Sequence, residues 1–214
     1  MKEYKAVARM ASAEIVEKKS RFIANVFPVS DEDQAMEELE AVRKQYWDAR
    51  HHCWAYVVGT ELMAERCSDD GEPGGTAGKP ILEVIKGAGV VNVFITVTRY
   101  FGGTLLGTGG LIRAYTEAAR AGLAAAEMIT RIYGFKLKIE TNYTGLGKIQ
   151  YILERRGVII WNSEYTDRVT ITVLVSETEA AGLRAEITEA ANGQAGFEKM
   201  EECWFTKPSA APKR

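Results

Sequence analysis

The stretch "VVNVFITVTRYFGGTLLGTGGLIRAYTEAARAGL", residues 90–123, changes character in its middle. Val90–Tyr100 alternates Val91, Val93, Ile95 and Val97 with Asn92, Phe94, Thr96 and Thr98. A period of two in β-branched residues makes a strand with one aliphatic and one mixed face. Beyond the glycines, the alanine-rich run to Ile129 is helical by propensity. Five glycines separate the two: Gly102, Gly103, Gly107, Gly109 and Gly110. A strand that hands over to a helix through a loosened backbone sets a layered arrangement of helix on sheet.

The neighbouring segments fit that arrangement. Arg21–Val29 reads as a strand. Ser30 or Asp31 caps a helix running to about Tyr46, with Ala35, Met36, Leu39 and Val42 inward. His51–Gly59 is a second strand, with Cys53, Ala55 and Val57 on one face and His52, Trp54 and Tyr56 on the other. The purely aliphatic face is the one to receive helices. A polar loop, Cys67–Pro80, follows, and Pro80 suits the first turn of a short helix.

The rest of the chain has another rhythm. Phe135, Leu137 and Ile139 alternate with Lys136 and Lys138; Leu146, Ile149, Ile152 and Leu153 share a helical face that ends at Gly157. A hairpin turns near Tyr165–Arg168, Ser176 and Glu179 form a capping box, and "FEKMEECWF" closes as a strand. The order βαββαβ is the ferredoxin-like pattern. The expected division is residues 1–131, a ferredoxin-like domain over 132–206, and a disordered tail over 207–214.

The 214 residues carry 27 Lys plus Arg against 29 Asp plus Glu, so no global basic field exists and a nucleic-acid contact needs a local patch. Three scattered cysteines, no secretory signal and no apolar run of membrane-spanning length predict a cytoplasmic chain with reduced thiols and no membrane contact.

Two nucleotide motifs fail. Gly107-x-Gly109-x-x-Ile112 lacks the third glycine of a dinucleotide fingerprint, and "GTAGKP" has Pro80 where a phosphate loop needs Ser or Thr. What remains is an anion cradle: unpaired amides opening a helix at about Gly109, with Gly102, Gly103 and Gly110 giving access and Thr104 and Thr108 adding hydroxyls. Tight turns and close packing are the alternative use of these glycines. Lys18, Lys19, Arg21, Arg50, Lys79, Arg99 and Arg113 gather around these elements, where they either converge as a positive rim at one sheet edge or lie scattered in solvent. His52 joins them on a face of aromatics and hydroxyls suited to stacking bases, or to cover by the other domain or a second subunit in a homodimer. Asp69, Asp70 and Glu72 are candidate Mg²⁺ ligands, or a turn that caps its own backbone.

Four segments carry a resemblance: "KKSRFIA" (18–24), "DARHHCWAYVVG" (48–59), "SDDGEPGGTAGKPIL" (68–82) and "VTRYFGGTLLGTGGLIRAY" (97–115). Together they resemble the IMPACT family in its two-domain, YigZ-type bacterial branch. The resemblance implies an α+β chain. Its first domain would share the ribosomal-protein-like fold of GHMP sugar kinases, with a mixed sheet and helices on one face. Its second would be similar to a ferredoxin-like domain of elongation factor G. Those kinases hold phosphate at a glycine-rich helix start, but their serine-rich loop is missing here, so kinase activity does not carry over. Eukaryotic relatives regulate translation in starvation, a stress response, through a partner that needs an extra N-terminal domain; this chain starts at the shared domain, so that partner is not expected. The resulting expectation is a non-catalytic RNA- or ribosome-binding modulator of translation, without a cofactor. The alternatives are a Mg²⁺-dependent enzyme on a phosphorylated small molecule and a protein-interaction module.

Overall fold

The structure, a computed structural model, describes residues 2–206. The expected disordered tail, 207–214, lies outside the described residues. The chain divides into two compact units, Glu3–Ile129 and the part from Thr130 onward.

The first unit contains β1 (Glu3–Val7), β2 (Ala11–Glu17), β3 (Ser20–Pro28), α1 (Glu32–Gln45), β4 (His51–Val58), β5 (Ala64–Ser68), α2 (Gly78–Ala88), β6 (Val93–Tyr100) and α3 (Gly107–Ala125). Five strands form one sheet in the order β2-β3-β6-β4-β5. Each neighbouring pair in it is antiparallel. Among the described residues, Lys5 and Val90 form an isolated parallel bridge. Asp31 caps α1 as expected, accepting from the Gln34 amide.

The aliphatic face receives α2 and α3. Cys53, Ala55, Val57, Val93, Ile95 and Val97 pack with Ile81, Ile85, Ala118 and Ala119 in one buried cluster. The expectation of helices on one face is corrected by α1, which lies on the other. Its Ala35, Leu39 and Val42 pack against Phe27, Trp54, Tyr56 and Phe94. The rings of this face therefore feed a core of their own; Trp54 and Tyr56 stack at 5.7 Å between centroids. Both expectations for this face, base stacking and cover by the other domain or a second subunit, are corrected for these rings, which α1 covers. Burying large rings beneath an amphipathic helix recovers more apolar area than leaving them for a ligand.

The second unit holds α4 (Tyr143–Arg156), β8 (Ile159–Tyr165), β9 (Val169–Ser176), α5 (Glu177–Ala190) and β10 (Gly196–Thr206), and β7 (Met128–Thr141) leads into it. These strands lie in the order β10-β7-β9-β8, antiparallel throughout, which is the ferredoxin-like sheet. Gly157 ends α4 in the left-handed conformation, and Ser176 with Glu179 closes a capping box on α5. The fold class is thus α+β, as expected. No helix among the described residues is long and apolar enough to cross a membrane.

Candidate functional site: one end of the first sheet

Register brings the sequence motifs together. Arg21 faces Tyr100 across β3 and β6, and His51 faces Arg99 across β4 and β6. The start of β3, the end of β6 and the start of β4 are therefore level. The loops attached there are the Lys18–Lys19 turn, the glycine segment and the turn that carries Trp47–Arg50.

The acidic loop after β5 is a latch. Asp69 Oδ1 accepts from the Ala77 and Gly78 amides at 2.9 and 2.8 Å, and its Oδ2 accepts from Gly75 N at 2.8 Å. It thereby caps α2, whose own N-cap, Ala77, has no side chain to do so. Asp70, at φ 41°, accepts from His52 N at 2.7 Å and from Arg43 at 3.3 Å. Glu72 Oε1 accepts from Arg99 Nη1 at 2.6 Å and from the Tyr115 hydroxyl at 2.8 Å. Both side chains of that ion pair are nearly sealed, 8% exposed for Arg99 and 4% for Glu72. The Arg99 guanidinium also lies 5.4 Å from the Phe22 ring centroid and 5.6 Å from that of Phe101.

These contacts correct the candidate Mg²⁺ set. The three carboxylates point to three separate tasks, and no group of three or more His, Cys, Asp or Glu among the described residues is placed to hold a metal. They correct Arg99 and His52 as well. Arg99 is spent on Glu72, and buried His52 has Nδ1 3.1 Å from the Thr98 hydroxyl. Cys53, whose thiol lies 3.3 Å from the Tyr115 hydroxyl, is pushed far above the ordinary thiol range by burial and stays protonated, so it is no nucleophile.

Burial by itself raises the Asp69 carboxyl, but the amides of Gly75, Gly78 and Ala77 outweigh it and hold the group below its ordinary 3.8. A carboxyl depressed in the folded state contributes stability above its unfolded value, and that part is lost as pH falls through the folded one. Desolvation lowers His52 from 6.5, with Arg43 and His51 adding to it and Asp70 opposing. The unfolded state then takes the proton first, so stability also falls below about pH 6.5. Asp69→Asn is expected to cost about 1–2 kcal/mol at neutral pH. In urea titrations from pH 7.5 downward it should flatten the loss near pH 4 and leave the His52 portion in place.

The glycines divide by use. A Cβ on Gly102 would stand 2.0 Å from the Lys19 carbonyl carbon and 2.3 Å from Ser20 N, so this glycine exists for close approach to the β2–β3 turn. Its amide donates to Ser20 Oγ at 3.1 Å. Gly103 and Gly107 have φ of 84° and 68°, where glycine is favoured. Gly109 has nothing within 4 Å of such a Cβ. Helix α3 starts at Gly107, two residues earlier than expected, and its N-cap, Leu106, makes no side-chain cap. Thr104, Thr108 and Gly109 are exposed, as are Lys18, Lys19, Arg50, Lys79 and Arg113. Arg21 is exposed but held by both oxygens of Glu14. Lys79 sits at the start of α2, beside the latch, and Arg113 lines a cleft of about 440 Å³ between β2 and α3 with Ile15 and Glu17.

Three exposed groups at this end were missed in the sequence: Trp47 at 81%, Phe101 at 58% and Leu105 at 85%. Trp47 falls just past the expected end of the helix at about Tyr46. A large ring between a helix end and a strand start, flanked by Lys44 and Arg50, is the signal that marks it.

The family model for the Impact N-terminal domain matches residues 18–123, and a second, described as a domain of unknown function, matches 139–194. The chain is 37% identical over 204 residues to IMPACT family member YvyE of Bacillus subtilis, covering 95% of this chain and 94% of that one. It is 35% identical over 187 residues to IMPACT family member YigZ of Escherichia coli, covering 86% and 92%. This chain belongs to the IMPACT family. A solved structure titled as a hypothetical protein matches with a TM-score of 0.61 at 32% identity, covering 94% of this chain and 98% of that one. The IMPACT segment begins at Lys18 and ends at Leu123, so it takes in each candidate residue weighed above.

Proposed function

We propose that this IMPACT family member is a non-catalytic RNA- or ribosome-binding modulator of translation, and that it binds through this end of the first unit. One observation carries the reading. Exposed Lys18, Lys19 and Arg50 lie at the same sheet end as the glycine-rich start of α3, whose first amides have no side-chain cap. Uncapped amides at a helix start and free-standing cations both favour phosphate oxygen. The resemblance to family members that act on translation supports the biological setting. The latch of Asp69 and Glu72 then serves as a frame that fixes the loops, and no reaction is assigned to it.

The test is charge reversal. Lys19→Glu with Arg50→Glu is expected to weaken ribosome and RNA binding about tenfold or more and to make it less salt-sensitive. Lys136→Glu with Lys138→Glu, on the second unit, should change it little. Sedimentation with ribosomes and filter binding over a salt series read both. Equal losses in the two double variants, or no salt-sensitive binding by the unaltered protein, would remove the proposal.

A further inference from the structure

The cations name phosphate but not the form of the nucleic acid; the exposed rings do. Asp48 Oδ1 accepts from the Tyr100 hydroxyl at 2.7 Å, which ties the turn after α1 to the end of β6. Trp47 precedes Asp48 and Phe101 follows Tyr100, so the residues that carry the two rings adjoin the two partners of one hydrogen bond. Tyr100 is only half-buried and has the Arg21 guanidinium 5.5 Å from its ring centroid, while Phe101, with Arg99 at 5.6 Å, keeps more of its surface in water. Trp47 and Phe101 keep 81% and 58% of their surface in water. Lys19 lies against this segment through the contact with Gly102, and Arg50 is three residues from Trp47.

Resting on the reading above, we infer that the ligand at this end is single-stranded RNA whose unpaired bases stack on Trp47 and Phe101, with its phosphates on Lys18, Lys19 and Arg50. A duplex keeps its base faces inside and offers only phosphates and ribose hydroxyls to a surface such as this one. A single strand offers a face to each ring, and every base has one, so the recognition tolerates sequence. Three cations on the backbone give a modest salt slope, near −2 for a single strand. Exposed rings beside cations are the arrangement such strands use.

The experiment titrates a labelled oligonucleotide of about twelve nucleotides, single-stranded or as a duplex, against the full chain by fluorescence anisotropy. The single strand should bind about tenfold tighter or more. Trp47→Ala and Phe101→Ala should each weaken it about five- to hundredfold without weakening the duplex, and Trp47→Phe should keep most of the affinity. Trp161→Ala, an exposed tryptophan of the second unit, is the control and should do nothing. Both rings being exposed, their loss does not threaten folding. Equal binding of both forms with no effect of the ring variants would overturn this inference, as would an equal loss in Trp161→Ala. The Lys19 and Arg50 reversals would then still judge the wider reading. No binding to any RNA would overturn both.

Discussion

Arg99→Met is expected to lower the unfolding free energy by about 3–5 kcal/mol, the usual cost of removing one partner from a buried ion pair. The Glu72 carboxylate would remain 4% exposed, with only the Tyr115 hydroxyl to answer it. Its loop would then lose the contact that holds it against β6, and the Asp69 cap on α2 would be strained in turn. Glu72→Gln should cost less, because an amide oxygen still accepts from both partners. The double variant Arg99→Met with Glu72→Leu should recover most of the loss, since an apolar pair leaves no stranded charge. Urea melts of the three variants decide the matter. If Arg99→Met alone is as stable as the parent, the pair is not the brace described here. Were Arg99 instead a phosphate ligand, its loss would remove binding and leave stability intact.

Gly102→Ala is the second large effect, expected at about 1–3 kcal/mol or above, the range for forcing atoms into a filled space. The added Cβ meets backbone of Lys19 and Ser20, at 2.0 to 2.3 Å, and not the yielding end of a side chain. The turn it strikes is already constrained, with Lys18 and Lys19 at φ of 45° and 70°. Relief requires the glycine segment to lift, which carries Phe101 and Leu105 away, so RNA binding should fall with stability. Gly109→Ala is the counterpart. It has open space around it and lies in the first turn of α3, where alanine is favoured by up to about 1 kcal/mol. Stability unchanged or raised, together with weaker RNA binding, would mark Gly109 as an approach point for a ligand. Unchanged binding would leave only Gly102, Gly103 and Gly107 with a purpose, and that purpose would be the turn itself. Thermal melts and filter binding on both variants separate the outcomes.

The elements readable in the chain are those with strong local signals. Asp31 before α1, Gly157 after α4 and the Ser176–Glu179 box are short-range hydrogen-bonding devices, and each stands where its residues imply. The alternation in β4 and β6 gave directly the face that receives α2 and α3. Strands β2 and β5 escaped because they lie at the sheet edges, with half or more of their residues exposed, so no apolar period marks them. A different reason hid the role of the second face of the sheet. Trp54, Tyr56 and Phe94 look alike in the sequence whether they await a base or a helix, and only the path of α1 distinguishes the two.

The amino-acid sequence by itself determined the family, the two-part α+β architecture and the glycine-rich entry to α3, because these depend on residue type at short range. Tertiary structure alone decided which charges are free. Arg99 and Arg50 are equally basic residues near one end of the sheet, yet the fold of the loop after β5 brings Glu72, 27 residues away along the chain, against Arg99 and leaves Arg50 in water. A charge's availability depends on what folding sets within a few ångströms of it, and that distance is not written in the order of the residues.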